Sequence, residues 1–305
     1  MIRLVFLGTS SMVPTKERNV SGLYLEYEGE GILFDCGEGT QRQMNIAGIN
    51  RNRVKKIFIS HWHADHIAGI LGLIQTIGNK DNEVHLDIYG PKDTRRRMEH
   101  LLETSIFDQQ LDIDVHEFCL DRNAPDPLVR ICDMPRYEVW AAPLEHGMPV
   151  LGFRFVEKDR RRMRLKELEK LGIPPGPIYA RLQKGHDAEF EGKIIESDKV
   201  TTIVKGKRIA IVSDTAFCQS AIALAEESDV LVCESTYAAN DEEKAHQYRH
   251  MTSQQAAQIA SMAGTRKLLL THFSQRYTQL DDLLADAKAV FPETELANDF
   301  KTVRI

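Results

Sequence analysis

Within the stretch SHWHADHIAGI, residues Ser60 to Ile70, the chain places His61, His63, Asp65 and His66 inside six consecutive positions and then turns apolar. Imidazole and carboxylate ligands without sulfur suit zinc, and also manganese or iron, with coordination positions left for water. Residues two apart in an extended segment project to the same side, so His61 and His63 are placed to share one ion. Asp65 and His66 are adjacent, diverge, and can serve a second. One histidine at a strand end is usually a hydrogen-bonding residue of the fold. A run of four such side chains is not explained that way, and two bridged ions with few ligands each point to hydrolysis rather than to a closed structural site.

Such ligands need elements to hold them, and four apolar, β-prone runs end on a histidine or aspartate: KKIFISH at His61, VWAAPLEH at His146, RIAIVSD at Asp214 and KLLLTH at His272. A polar residue closing a buried strand sits at the sheet rim, where loops converge. His146 then completes the first trio and His272 the second, and Asp214 is left to bridge both ions. Strand-like runs at Leu4–Leu7, Gly22–Tyr27 and Ile32–Phe34 open the chain, with Gly29 and Gly31 marking a tight turn. Further on, KKIFIS, LDIYG and RIAIVS alternate with helix-like segments such as DTRRRMEHLLETS and SAIALAEES, so antiparallel and α/β patterns share one chain. Pro174, Pro175 and Pro177 break the pattern, and Glu157 to Val200 reads as an inserted arm. His85, His100, His116, His186 and His246 lack such a context and receive no role.

A chain of 305 residues with 42% hydrophobic content can bury one large α/β core or two modest ones. The apolar start, MIRLVFLGT, is too short for a spanning helix, and no later run reaches the length a membrane span requires. Cys36, Cys119, Cys132, Cys218 and Cys233 are odd in number, scattered and without a CxxC pair, which fits a reducing cytosol better than a disulfide framework. The formal charge of −6 argues against polyanion binding by the whole surface, yet Arg154 to Lys184 carries ten basic against four acidic residues, a local +6. Taken alone, that run is a solvated charged helix.

The HxHxDH run resembles the signature of the metallo-β-lactamase superfamily. More narrowly, FLGTSSMVPTKERNVSG, LFDCGEGTQRQM, PPGPIYARLQKG, VSDTAFC, HMTSQQAA and THFSQRY are similar to segments of the ribonuclease Z family, endonucleases that trim the 3′ ends of precursor transfer RNA. The resemblance implies an α/β fold, the αββα sandwich, as one domain over residues 1–305, with the segment 157–200 as a flexible arm gripping the transfer RNA. It implies a cytoplasmic homodimer with two Zn²⁺ per subunit (Mn²⁺ or another divalent ion also being compatible), with precursor transfer RNA as partner and neither DNA nor membrane. Cleavage would follow the discriminator nucleotide, leaving a 3′-hydroxyl on the transfer RNA and a 5′-phosphate on the trailer. Metal ligands by this resemblance are His61, His63, Asp65, His66, His146, Asp214 and His272, with Asp65 also the proton acceptor.

On the same footing, His250 supported by Glu234 is the candidate acid for the leaving oxygen. Thr252 and Gln255 form a capping box just after His250, and the positive end of that helix would favour neutral imidazole. Asp35 supports the metal loop by hydrogen bonding. Substrate contacts are expected from Lys16 and Arg18 of the PxKxRN loop, from Ser274, Arg276 and Tyr277, and from Arg160, Arg161, Arg162 and Arg164 of the arm; Tyr277 could equally be a packing residue. Two positions depart from the family pattern: Ala64 replaces a common glycine, which requires a backbone without positive φ, and Cys233 replaces a histidine. The alternatives are a general metal-dependent phosphodiesterase acting on small molecules or other RNA, and a transfer RNA binding protein without catalysis.

Overall fold

The computed structural model describes residues 1–77, 84–106 and 111–305. They form two compact units: Met1–Asp133 with Val139–Phe155 and Arg208–Ile305, and Met134–Glu138 with Val156–Lys207.

The first unit is built on two seven-stranded sheets. One runs Thr302–Arg304, Ile2–Gly8, Gly22–Tyr27, Glu30–Phe34, Val54–Phe58, Val84–Pro91, Leu111–Phe118. It is antiparallel up to Glu30–Phe34 and parallel beyond it, which is where the sequence changes from hairpin to α/β pattern. Tyr27 pairs with Glu30, and Glu28 and Gly29 between them both have positive φ, 50° and 85°. That is the two-residue turn whose twist matches the flanking strands. Gly31, assigned to the turn from sequence, instead lies inside the strand: a Cβ there would sit 2.7 Å from the ring of Tyr24 on the neighbouring strand.

The other sheet runs Thr294–Leu296, Leu268–Thr271, Val230–Glu234, Arg208–Val212, Leu151–Glu157, Tyr137–Pro143, Val129–Asp133. Its first four strands are parallel. Strands covered on both faces read as continuous apolar runs, and all five residues of Val230–Glu234 are buried. Between the sheets, Phe153 meets Phe34 and Phe58 at 5.7 and 5.5 Å, and Tyr27 meets Phe155 at 5.6 Å. Outside, helices Thr40–Ile46, Ile70–Ile77 and Thr94–Glu103 press Met44, Ile74 and Met98 onto Leu33, Ile57 and Ile88. Helices Gln219–Ala225, Ser253–Ala263 and Asp281–Val290 do the same with Ala221, Ala257 and Leu283 against Val212, Leu231 and Leu270. The layers are helix, sheet, sheet, helix: the αββα sandwich. No described helix is long and apolar enough to cross a membrane.

The second unit has its own small core of Leu168, Ile173, Leu182, Ala188, Ile195 and Val200. Within it, Arg160–Met163 and Thr201–Val204 pair antiparallel. Pro177 opens helix Pro177–Gln183, where a missing N–H costs nothing, so one of the three prolines starts structure as well as breaking it. From Val156 to Lys207 there are thirteen basic and nine acidic residues, a net +4. Arg161 is paired with Asp198 at 2.5 Å and Lys205 with Asp159 at 2.7 Å. Strand alternation leaves Arg160 and Arg162 exposed on one face.

Candidate metal centre

The four predicted strand ends meet at one rim. His61 follows Val54–Phe58, His146 follows Tyr137–Pro143, Asp214 follows Arg208–Val212, and His272 directly follows Leu268–Thr271. His63 is the N-cap of the short helix Ala64–Ile67, which carries Asp65 and His66 in a single turn. Ala64 is the first residue of that helix and is not among the positive-φ positions, so alanine fits where glycine is common. Gly37 brings the Asp35 loop against this turn, where a Cβ would meet the Asp65 carbonyl at 2.2 Å.

Ligand atoms of His61, His63, His146 and Asp214 lie within 4.8 Å of one another, and so do those of Asp65, His66 and His272. Asp214 faces both groups: Oδ2 is 3.7 Å from His61 Nε2, while Oδ1 is 3.4 Å from His66 Nε2 and 3.2 Å from His272 Nε2. Asp65 Oδ2 lies 3.4 and 3.7 Å from those last two nitrogens. The edge of a tetrahedron around zinc, with bonds of about 2.0 to 2.2 Å, is roughly 3.3 to 3.6 Å. Four donors at these separations match such a polyhedron closely. The Nε2 atoms of His66 and His272 are buried with no hydrogen-bond partner, which a protein tolerates where an ion supplies the missing contact. The residues fit a divalent metal.

The outward nitrogens are held by the protein. His66 Nδ1 lies 2.7 Å from Asp35 Oδ2, and Asp35 in turn accepts from Ser60 N at 2.7 Å and Ser60 Oγ at 2.8 Å. His61 Nδ1 meets Ser60 Oγ at 3.0 Å, His146 Nδ1 the Arg249 carbonyl at 3.0 Å, and His272 Nδ1 Thr236 Oγ1 at 3.0 Å. With Nδ1 engaged, each ring presents Nε2 inward. Met12 N–H donates to Asp65 Oδ2 at 2.8 Å. Met12, Asp35, Arg249 and His272 all have positive φ, between 56° and 61°, and such backbone strain in non-glycine residues clusters at functional sites. Ser60, Arg249 and the Met12 amide were not singled out from sequence. Their signal is conformational, since a serine beside a histidine or an arginine before one carries no motif of its own.

Burial raises the pKa of a carboxyl, but His272 and His66 outweigh it at Asp65 and hold that group far below the usual range. At Asp214 the surrounding histidines win over burial in the same way. His61 is pushed down by burial and by the neighbouring His66.

His250 sits beside this cluster, with Nδ1 2.8 Å from Glu234 Oε1 and Nε2 4.0 Å from Asp214 Oδ2. Glu234 is fully buried and accepts from Thr215 N, Thr236 N and Thr236 Oγ1 at 2.9, 3.1 and 2.6 Å. The capping box of Thr252 and Gln255 is present, yet the neutral imidazole expected from the helix start is not what results. Burial does pull His250 down, but the Glu234 carboxylate outweighs it and lifts the imidazole to about 9. Cys233 points the other way, into the helix-covered core, so the departure from histidine falls on a packing position.

The remaining candidates divide by exposure. Lys16 is exposed. Arg18 is buried and donates Nη2 to the Tyr277 carbonyl at 2.8 Å, and Tyr277 OH donates to Asp241 while accepting from Ala238 N, so both brace the loops around the site. Ser274 is half-buried; Arg276 is exposed, 5.1 Å over the Tyr237 ring and 3.6 Å from Asp241. Arg160, Arg161, Arg162 and Arg164 belong to the second unit, where Arg164 Nε donates to Thr202 at 2.7 Å.

A helix-flanked pair of sheets with a histidine and aspartate cluster at one rim defines a metallo-β-lactamase-fold protein, and YhfI of Bacillus subtilis, which carries that fold, aligns with a TM-score of 0.70 at 19% identity over 99% of this chain and 98% of its own. The family model for anti-Pycsar protein Apyc1 matches residues 2–123, less than half of the chain. Ribonuclease Z of Methanothermobacter thermautotrophicus is 40% identical over 306 residues, spanning 100% of this chain and 97% of that protein. The short form of human tRNase Z is 28% identical with a TM-score of 0.73, covering 99% of both chains. The chain belongs to the ribonuclease Z family.

Proposed function

We propose that this protein is a metal-dependent endoribonuclease that removes 3′ trailers from precursor transfer RNA, cutting after the discriminator to leave a 3′-hydroxyl on the transfer RNA and a 5′-phosphate on the trailer. The observation that carries this is the full set of seven donors beside a separate His250–Glu234 pair, in a chain that matches ribonuclease Z from end to end. His61, His63 and His146 would hold one ion, Asp65, His66 and His272 the other, with Asp214 between them. Bound there, two Zn²⁺ or other divalent ions would neutralise charge on the phosphoryl oxygens and acidify a water molecule.

The chain's own groups do the rest. Asp65, fixed by the Met12 amide and held strongly acidic, serves as an ionised ligand and orients the nucleophile; it is a weak store for the proton. His250 carries a proton at neutral pH and points Nε2 toward the cluster, so it supplies the acid for the departing 3′ oxygen, with Glu234 fixing its ring. Lys16 and Arg276 are exposed cations of the site loops for substrate phosphate, and Arg160 and Arg162 present exposed charge of the second unit, which serves as the arm. Five free thiols suit a reducing, cytoplasmic setting, and the homodimer follows from the family resemblance.

The test is cleavage of a 3′-extended precursor with zinc or manganese by the intact protein, Asp65→Ala, His250→Ala and an arm deletion. Because Arg160–Met163 pairs with Thr201–Val204, the deletion should remove residues 159–205 and close with a short link, which takes out the small core whole. A single cut after the discriminator, lost in Asp65→Ala and weakened mainly in KM by the deletion, is the expected result. An intact precursor alongside hydrolysis of a chromogenic phosphodiester would replace this reading with that of a general phosphodiesterase.

A further inference from the structure

Among the described residues, two of the cavities that adjoin the metal centre are large. The first, about 580 Å³, contains His63, Asp65, Asp214 and His250 and is bounded on one side by Ser11 and Met12. The second, about 510 Å³, shares His146, Gly147 and Arg249 with the first but not Ser11 or Met12, and it extends to Lys92, Phe118 and Arg122. The mechanism above makes no use of it.

Its lining has a definite chemistry. Lys92 and Arg122 are exposed, and Lys92 has no ion pair among the described residues. Arg249 donates Nη1 to the His146 carbonyl at 3.0 Å, and its positive φ of 56° fixes the backbone at the shared wall. Phe118 offers a half-buried ring, with Asp121 as the acidic residue of the lining. Cations and an aromatic ring in one lining are what a single strand of RNA requires, the first for its phosphates and the second for a base to stack on. A double helix would not enter a cavity of this size.

We infer that this second cavity receives the first nucleotides of the 3′ trailer. The inference rests on the endonuclease reading above. Ser11 and Met12 lead into the loop at Pro14 to Asn19, whose exposed Lys16 is assigned above to substrate phosphate, and of the two cavities they line only the first. The strand that crosses the metals from that side must leave past His146 and Arg249, and Lys92, Phe118 and Arg122 are what it meets there.

The experiment uses the full-length protein with its metals, the double variant Lys92→Ala/Arg122→Ala, and Phe118→Ala with Phe118→Tyr as the conservative control. Three probes separate the cases: a precursor with an unstructured trailer, mature transfer RNA ending at the discriminator, and a 5′-phosphorylated trailer oligonucleotide. The double variant and Phe118→Ala should each lower kcat/KM on the precursor and affinity for the oligonucleotide by roughly tenfold, with Phe118→Tyr restoring most of it. In the double variant, the salt dependence of oligonucleotide binding should flatten by about 0.7 in logarithmic slope for each phosphate that Lys92 or Arg122 neutralises in the wild type. Affinity for mature transfer RNA and turnover of a chromogenic phosphodiester should stay at the wild-type level. An equal loss of mature transfer RNA binding, or undiminished oligonucleotide binding, would overturn the assignment of the cavity to the trailer. Failure of the wild-type protein to cut the precursor at all would remove the endonuclease reading and the trailer subsite with it.

Discussion

Asp35 shows how much of a metal site is made by groups that never touch the metal. Its carboxylate takes the Ser60 amide, the Ser60 hydroxyl and His66 Nδ1 together, which fixes the ring plane and the tautomer of His66. Asp35→Ala should therefore lower metal affinity by about 10- to 100-fold, read by competition with a chromogenic chelator, while all seven ligands remain. His250 makes a different prediction. His250→Ala should reduce kcat by about 10²- to 10⁴-fold with metal content unchanged. A precursor whose scissile 3′ oxygen is replaced by sulfur needs no proton on its leaving group, so it should be cut at nearly the same rate by both proteins. Continued loss on that substrate would mean that His250 acts through the metal site and not as an acid.

At the scale of elements, the rim is assembled by strands whose ends were legible and by turns that were not. The run 22–34 is a hairpin as its pattern indicates, but Gly31 is needed for the ring of Tyr24 and not for the turn. Gly31→Ala should cost about 1 to 3 kcal/mol in urea unfolding, because the Cβ would overlap a packed aromatic ring. The edge strand Thr294–Leu296 is tied by Glu295 to Lys267 at 2.6 Å and Lys301 at 2.8 Å, which hold its carboxyl down at about 2. A carboxyl depressed on folding contributes stability that is present above its unfolded value, about 4.3, and lost as pH falls toward 2. Glu295→Gln should flatten the pH dependence of stability in that window, weakly and less in high salt because the pair is partly exposed.

For the whole molecule, the cluster couples metal to folding. Without an ion, two buried imidazole nitrogens lack partners and Asp65 and Asp214 are held ionised among histidines. Binding only to the folded state stabilises it by about 4 kcal/mol at a thousandfold excess over Kd, so chelation should lower the unfolding temperature and readdition should restore it. An unchanged transition would show that the centre forms without metal. The same reasoning does not extend to the second unit, which has a core of its own and no donor in the cluster.

The amino-acid sequence alone singled out the donors that the fold gathers at one rim, because metal chemistry restricts residue type and the HxHxDH spacing restricts geometry within one short loop. Apolar runs of strand length alternating with helical ones indicated a mixed antiparallel and α/β chain, while the αββα layering was an expectation from the family resemblance. Other features depend on contacts between residues far apart in the chain. His250 reads as a residue before a helix until the fold sets Glu234 against it at 2.8 Å and reverses the effect of the helix end. Arg18 reads from type as a substrate contact and Tyr277 as either a contact or a packing residue, and the fold adds that each is bonded to the loops around the site. The basic run from Arg154 reads as a solvated charged helix until the fold places Arg160–Met163 in a strand and pairing separates Arg161 from the exposed Arg160 and Arg162. Type and spacing are local and written in order along the chain, whereas the partner of a buried charge is chosen by the fold, and the partner decides what the charge can do.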